Sequence, residues 1–162
     1  MSADPVDQLV DSWRAEVPDL DTSAMATIAR LNRSRALAMQ AVEAALTEAG
    51  SSLADFDVLA ALRRQGAPYR LTPSRIAESL MLSASGTTSR VDRLERAGLV
   101  ERVADPDNRR TMPVQLTATG FAEAERLVRL VVETEAHVMG ALSVDERAHL
   151  DRLLAALAAG QA

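Results

Sequence analysis

The stretch Leu71–Leu116 constrains this chain more than any other. It reads LTPSRIAESLMLSASGTTSRVDRLERAGLVERVADPDNRRTMPVQL. Thr72-Pro73 sets an N-cap before a proline in the first helical turn, a strong start signal. Ile76, Ala77 and Leu80 are the buried side of the short helix that follows. The next helix runs from Ser83 to Gly98, so only a tight turn separates the two. Leu99–Val103 reads as a strand, and Met112, Val114 and Leu116 alternate as a returning strand. Asp105-Pro-Asp-Asn-Arg-Arg110 between them is turn chemistry throughout. Helix, turn, helix and β-ribbon make a winged helix-turn-helix, and such a unit reads double-stranded DNA.

Charge agrees once it is divided. The net charge is −5, the wrong sign for a DNA binder. Arg63 to Arg110, however, holds 10 Arg against 6 acidic residues (net +4), and the rest holds 8 Arg against 17 (net −9). A basic module between acidic flanks suits a polyanion. There are no cysteines, which removes disulfides, thiolate metal sites and thiol redox sensing. No apolar run reaches the ~18 residues of a membrane span. The acidic, polar N-terminus argues against a secretory signal, so a cytoplasmic location is expected.

The flanks are helical. Val6–Glu16 is amphipathic, with Val6, Leu9, Val10, Trp13 and Val17 at three- and four-residue spacing. Asp21 or Thr22 caps a helix running to about Ala49, long enough in a small domain to suggest a partner subunit. Ser51 or Ser52 caps Leu53–Gln65, with Phe56, Leu59, Ala60 and Leu62 inward. Thr117-Ala-Thr-Gly120 opens a helix to about Gly140. Ser143 and Glu146 form a capping box for Val144–Ala159. The expected class is mainly α with a small β-wing, in three segments: 1–50, N-terminal extension and dimerisation helices; 51–120, the DNA-binding lobe; and 121–162, C-terminal dimerisation helices.

Projected at 100° per residue, Ala84, Thr87, Val91, Leu94 and Gly98 cluster on the core side of the second helix. Ser85, Ser89, Asp92, Arg93 and Arg96 lie opposite. Small hydroxyl side chains let a backbone approach a major groove, and arginine takes a guanine edge or a phosphate. Ser83, Ser85, Thr87 and Thr88 occupy the N-terminal turns, where free N–H groups favour phosphate. With Ser89 and Arg93 they are the candidate DNA-binding residues. At the ribbon tip, Asp107 two residues before Arg109 can hold that guanidinium extended. Arg109 and Arg110 are then candidates for a narrow, electronegative minor groove.

The runs DFDVLAALRR (Asp55–Arg64), RLERAGLVER (Arg93–Arg102) and DPDNRRTMPVQLTATG (Asp105–Gly120) resemble the MarR family of bacterial regulators. The resemblance implies an intertwined helical homodimer with two lobes on a palindromic operator, and release by a small ligand. DSWRAEVPDLD (Asp11–Asp21), FDVL, PYRLTP and TSRVDRLE are similar to its urate-responsive, PecS- and HucR-like branch, and trans-aconitate-responsive regulators share much of the pattern. Matched by motif, the residues implied to bind or sense the ligand are Trp13, Asp57, Arg90 and Arg102. Arg90 lies about 75° from the centre of the core face, on the flank of its helix. Asp57, between Phe56 and Val58, needs a partner if it is buried. Two arginines near one carboxylate leave a net positive niche for an anion, and Trp13, one of four aromatics, could stack on a planar ligand. The expected partners are double-stranded DNA, a second copy of the chain and a small anion such as urate, with no cofactor and no metal.

An enzyme is not expected. His137 and His149 are the only histidines, and a twelve-residue separation lacks the short spacing of a metal-binding pair. No nucleophile–base constellation and no glycine-rich phosphate loop occurs in the sequence.

Overall fold

A computed structural model of the chain describes residues 4–104 and 112–160. These residues form seven α-helices, one 3-10 turn and three short strands. The chain divides into two compact units, Met1–Ala41 and Val42–Ala162, with the division inside the second helix. It does not coincide with the segment joints drawn from the sequence.

In the first unit, α1 (Pro5–Glu16) starts where Asp4 accepts from the Val6 amide at 3.1 Å, with proline in the first turn. The second helix, α2 (Ser23–Glu48), starts where Asp21 accepts from the Ser23 amide at 2.9 Å. That backbone bond holds the Asp21 carboxyl below the usual carboxylate range. Arg30 of α2 reaches Asp4 at 3.2 Å and also Asp7, tying the two helices. Val6 and Val10 are buried, whereas Leu9, Trp13 and Val17 of the same stripe stay exposed.

The second unit is built on α3 (Leu53–Arg63), capped by Ser52. It packs on α4 (Pro73–Leu80), α5 (Ala84–Arg96) and α6 (Ala118–Val138). Val58, Leu59, Ala61 and Leu62 of α3 are buried, but Phe56 and Ala60 only partly so. The inward face is therefore turned by about one residue from the expected one. Leu46, Ile76, Val91, Leu94, Val114 and Leu127 complete the core, each such burial being worth about 1.5–3 kcal/mol. A last helix, α7 (Val144–Ala159), has the expected capping box and buries none of its residues.

The wing has three strands where two were expected. β1 (Arg70–Leu71), β2 (Val100–Arg102) and β3 (Val114–Leu116) form an antiparallel sheet in the order β1-β3-β2. Arg70 pairs with Gln115 and Val100 with Leu116. Thr117 and Gly120 join this sheet to α6. The Thr117 hydroxyl accepts from the Gly120 amide at 3.0 Å and donates to the Gly98 carbonyl at 2.7 Å. A Cβ on Gly120 would stand 1.7 Å from the Leu99 carbonyl oxygen, so only glycine lets α6 lie against that strand. Among the described residues no helix is long and apolar enough to cross a membrane.

Candidate nucleic-acid interface and anion niche

α5 is placed by its apolar side. Thr87, Val91 and Leu94 are buried against the lobe, which leaves Ser83, Ser85, Thr88, Ser89 and Arg96 exposed on the other side. Ser83 is the N-cap and accepts from the Gly86 amide at 3.1 Å. The Thr88 hydroxyl donates to the Ala84 carbonyl at 3.0 Å. One candidate DNA contact is corrected: Thr87 is 1% exposed and its hydroxyl donates to the Ser83 carbonyl at 3.0 Å. Its side chain has no surface to offer a groove. Arg96 was left out of the sequence-based set although the projection had placed it outward. It is exposed, its Nε donating to the Asp92 carbonyl at 3.2 Å.

Arg93 is engaged. Its Nε and Nη2 donate to Asp55 Oδ1 at 2.8 and 2.6 Å. Asp55 also takes a hydrogen bond from the Ser52 hydroxyl at 2.8 Å. Asp55 had no role in the sequence reading. Its position three residues after the Ser52 cap was the available signal. Arg109 and Arg110 lie outside the described residues.

One helical turn before Arg93, Arg90 meets Asp57, as the flank position implied. Arg90 Nη1 is 3.6 Å from Asp57 Oδ2, with side chains 25% and 36% exposed. That Nη1 atom is itself buried and has no hydrogen-bond partner among the described residues. Burial pushes the Asp57 carboxyl above its ordinary range, against the pull of the Arg90 and Arg64 charges. Arg64, next to this group, donates to the Ser79 hydroxyl.

Arg102 does not join this pair. Its Nη2 donates to Asp92 Oδ1 at 2.5 Å and its Nη1 to Glu95, while its backbone amide bonds Glu95 Oε1 at 3.3 Å. The Asp92 hydrogen bond leads the effects that raise its already high pKa. Asp92 follows Arg90 by two residues, about 200° round the helix, so Arg102 serves a different side of α5. The expected grouping of Arg102 with Asp57 and Arg90 is thus corrected for this conformation. Trp13 belongs to the first unit, where it is 42% exposed on α1.

A further cluster escaped the sequence reading. The Arg63 guanidinium lies 4.8 Å from the Phe121 ring centre and 5.2 Å from that of Tyr69. Its Nε donates to Glu125 Oε1 at 2.6 Å. Tyr69 precedes β1 and its carbonyl accepts from the Leu116 amide at 3.2 Å. The cluster therefore ties the wing to α3 and α6 through cation–π and ionic contacts.

A three-helix lobe with a wing, whose second motif helix shows a hydroxyl-rich face, defines a winged helix-turn-helix DNA-binding transcriptional regulator. Comparison with known proteins agrees. The pattern of the MarR family matches residues 49–111. The chain is 42% identical over 149 residues to the HTH-type transcriptional regulator PecS of Dickeya dadantii (strain 3937), spanning 92% of this chain and 90% of that protein. Wild-type MarR of E. coli in its apo form superposes with a TM-score of 0.69 at 26% identity, over 78% of this chain and 92% of that one. A mutant of the same protein complexed with operator DNA gives 0.68 at 24% identity, over 90% and 96%. The chain belongs to the MarR family.

Proposed function

We propose that this regulator is a repressor that binds a palindromic operator as a homodimer and is released by a small anionic metabolite, urate being the first candidate. The observation that carries the DNA half is the outward face of α5. Ser83, Ser85, Thr88 and Ser89 are exposed together there because Thr87, Val91 and Leu94 are buried. Small hydroxyl side chains on one helix face suit close approach in a major groove. Arg109 and Arg110 join this reading from the sequence, as minor-groove contacts. α7 supports self-association, since Val144, Leu153, Leu154 and Leu157 are all exposed on it. A helix with exposed leucines and no fully buried residue in its own chain favours a partner.

The ligand half rests on Arg90 and Asp57. A buried guanidinium nitrogen without a hydrogen-bond partner beside a carboxylate disfavoured as an anion is a place where a ligand anion can replace the carboxylate. An anion taken up there would pull on the flank of the DNA-reading helix and favour a different lobe geometry. Arg102, paired with Asp92 and Glu95 on another side of α5, is not part of this niche. Trp13 enters this reading from the sequence resemblance alone.

Titration of urate, and separately of trans-aconitate, into the chain bound to DNA from its own upstream region tests the proposal. Release by urate at sub-millimolar concentration is expected. Release by trans-aconitate, or by an aromatic compound, moves the ligand assignment within the same mechanism. No release by any of them at millimolar concentration leaves a ligand-independent DNA-binding protein. Light scattering should return twice the 17.4 kDa chain mass.

A further inference from the structure

The turn between α4 and α5 holds a residue whose type its backbone does not favour. Met81 caps α4 at φ +52° and ψ +43°. Glycine takes this left-handed conformation freely, whereas an L side chain crowds its own backbone there. The fold needs the conformation. The Leu82 amide bonds the Ala77 carbonyl at 2.9 Å and the Met81 amide bonds the Glu78 carbonyl at 3.3 Å, closing α4 so that Ser83 can begin α5. The fold makes no use of the side chain, which is 95% exposed. A lone exposed apolar residue is ordinary. One kept where glycine is favoured, two residues before the N-cap of the DNA-reading helix, is not accounted for by folding.

We propose that Met81 is a DNA-contact residue that lays its thioether side chain on a thymine 5-methyl group at the edge of the major groove. The inference rests on the reading that α5 enters that groove. The thymine methyl is the apolar feature of the major-groove edge. Ser83, Ser85 and Ser89 beside Met81 carry no methyl group with which to read it, and those of Ala84 and Thr88, also exposed, stand on side chains shorter than the Met81 thioether. Methionine is unbranched and polarisable, so it can follow a methyl group that differs in position between half-sites. Met81 thereby adds a preference for thymine at a position the hydroxyl contacts leave unread.

The test uses the full chain and the tightest duplex it selects from a random-sequence library. Each thymine in that duplex is replaced in turn by deoxyuridine, which removes the methyl group alone. The wild-type chain should lose about 4-fold in affinity at one symmetric pair of positions, the worth of a buried methyl. Met81→Gly should fold with an unchanged or higher Tm, bind the parent duplex about 5–20-fold more weakly, and show no deoxyuridine effect at those positions. Met81→Leu should retain the effect. Wild-type affinity in Met81→Gly, identical deoxyuridine profiles in both chains, or a sharp fall in Tm would each overturn the proposal. Ser85→Glu places a carboxylate on the outward face of α5 and separates the two readings. If Ser85→Glu binds normally, α5 does not face DNA and the parent reading fails. If Ser85→Glu abolishes binding while Met81→Gly has no effect, only the Met81 assignment fails.

Discussion

Arg90 of α5 and Asp57 of α3 face each other at 3.6 Å, within salt-bridge range but short of a hydrogen bond. The pair is loosely made and partly exposed, with only Arg90 Nη1 fully buried. Burial outweighs the attraction of Arg90 and Arg64, and the Asp57 carboxyl titrates above its ordinary range. A carboxyl whose folded pKa is raised binds its proton more readily folded than unfolded. Its ionised form therefore lowers stability above the folded pKa, and that loss is recovered as pH falls through the raised value toward the ordinary one.

Urea midpoints of the wild type and Asp57→Asn across pH should show this sign. The difference between the two chains should be flat from neutral to mildly alkaline pH. On acidification it should shift in favour of the wild type, by no more than about 1.4 kcal/mol per pH unit. A shift in the opposite direction would mean that the Arg90 attraction dominates burial.

On the proposed reading Asp55 competes with DNA for Arg93, because it takes the guanidinium hydrogen bonds at 2.8 and 2.6 Å. Asp55→Asn should loosen the arginine. Operator affinity should rise, and the salt dependence of binding should steepen by about one released counterion. The lost pair is half-exposed, so stability should fall by no more than about 1 kcal/mol. Arg93→Ala should weaken binding by about 1–3 kcal/mol if the freed arginine reads a base. An Asp55→Asn chain with unchanged affinity and salt slope would show that Arg93 serves only the lobe.

Arg102 neutralises Asp92 and Glu95 on α5. Arg102→Ala leaves two carboxylates unopposed on the helix proposed to approach phosphate. Binding to operator DNA should weaken by about 1–2 kcal/mol with no ligand present, most strongly at low salt. A residue concerned with ligand alone would leave ligand-free affinity untouched and abolish release. Gel-shift titrations with and without urate distinguish the two.

Gly120→Ala runs against helix propensity. Alanine is favoured over glycine by about 1 kcal/mol inside a helix, yet the new Cβ would meet the Leu99 carbonyl at 1.7 Å. Overpacking against backbone should win, lowering stability by about 2–4 kcal/mol. Thermal melts would show the sign at once, and an alanine variant as stable as wild type would mean that α6 can slide off the wing.

Most element boundaries were legible because caps are local chemistry. Ser52, Thr72, Ser83, Thr117 and Ser143 each accept from an amide two or three residues on, and a reader of the sequence sees both ends of that bond. β1 was missed because two residues, Arg70 and Leu71, carry no alternation, and their strand exists only by pairing with Gln115 and Val114. The rotation of the α3 face was missed for a related reason. Three helices, α4, α5 and α6, pack on α3, so a single-stripe projection cannot rank Phe56 and Ala60 against Val58 and Ala61.

The sequence by itself determined the helix-turn-helix, the returning ribbon, the family and the flank position of Arg90, since all depend on order and spacing along the chain. Tertiary structure decided which charges are spoken for. Arg93 finds Asp55 thirty-eight residues away, and Arg102 finds Asp92 and Glu95 rather than Asp57. A guanidinium reaches several ångströms in any direction, and only the packed neighbours choose its carboxylate. They also decided that Met81 is left bare, because burial belongs to the assembled lobe and not to a residue's own helix, whereas the core side of Thr87 was already given by the period of its own helix.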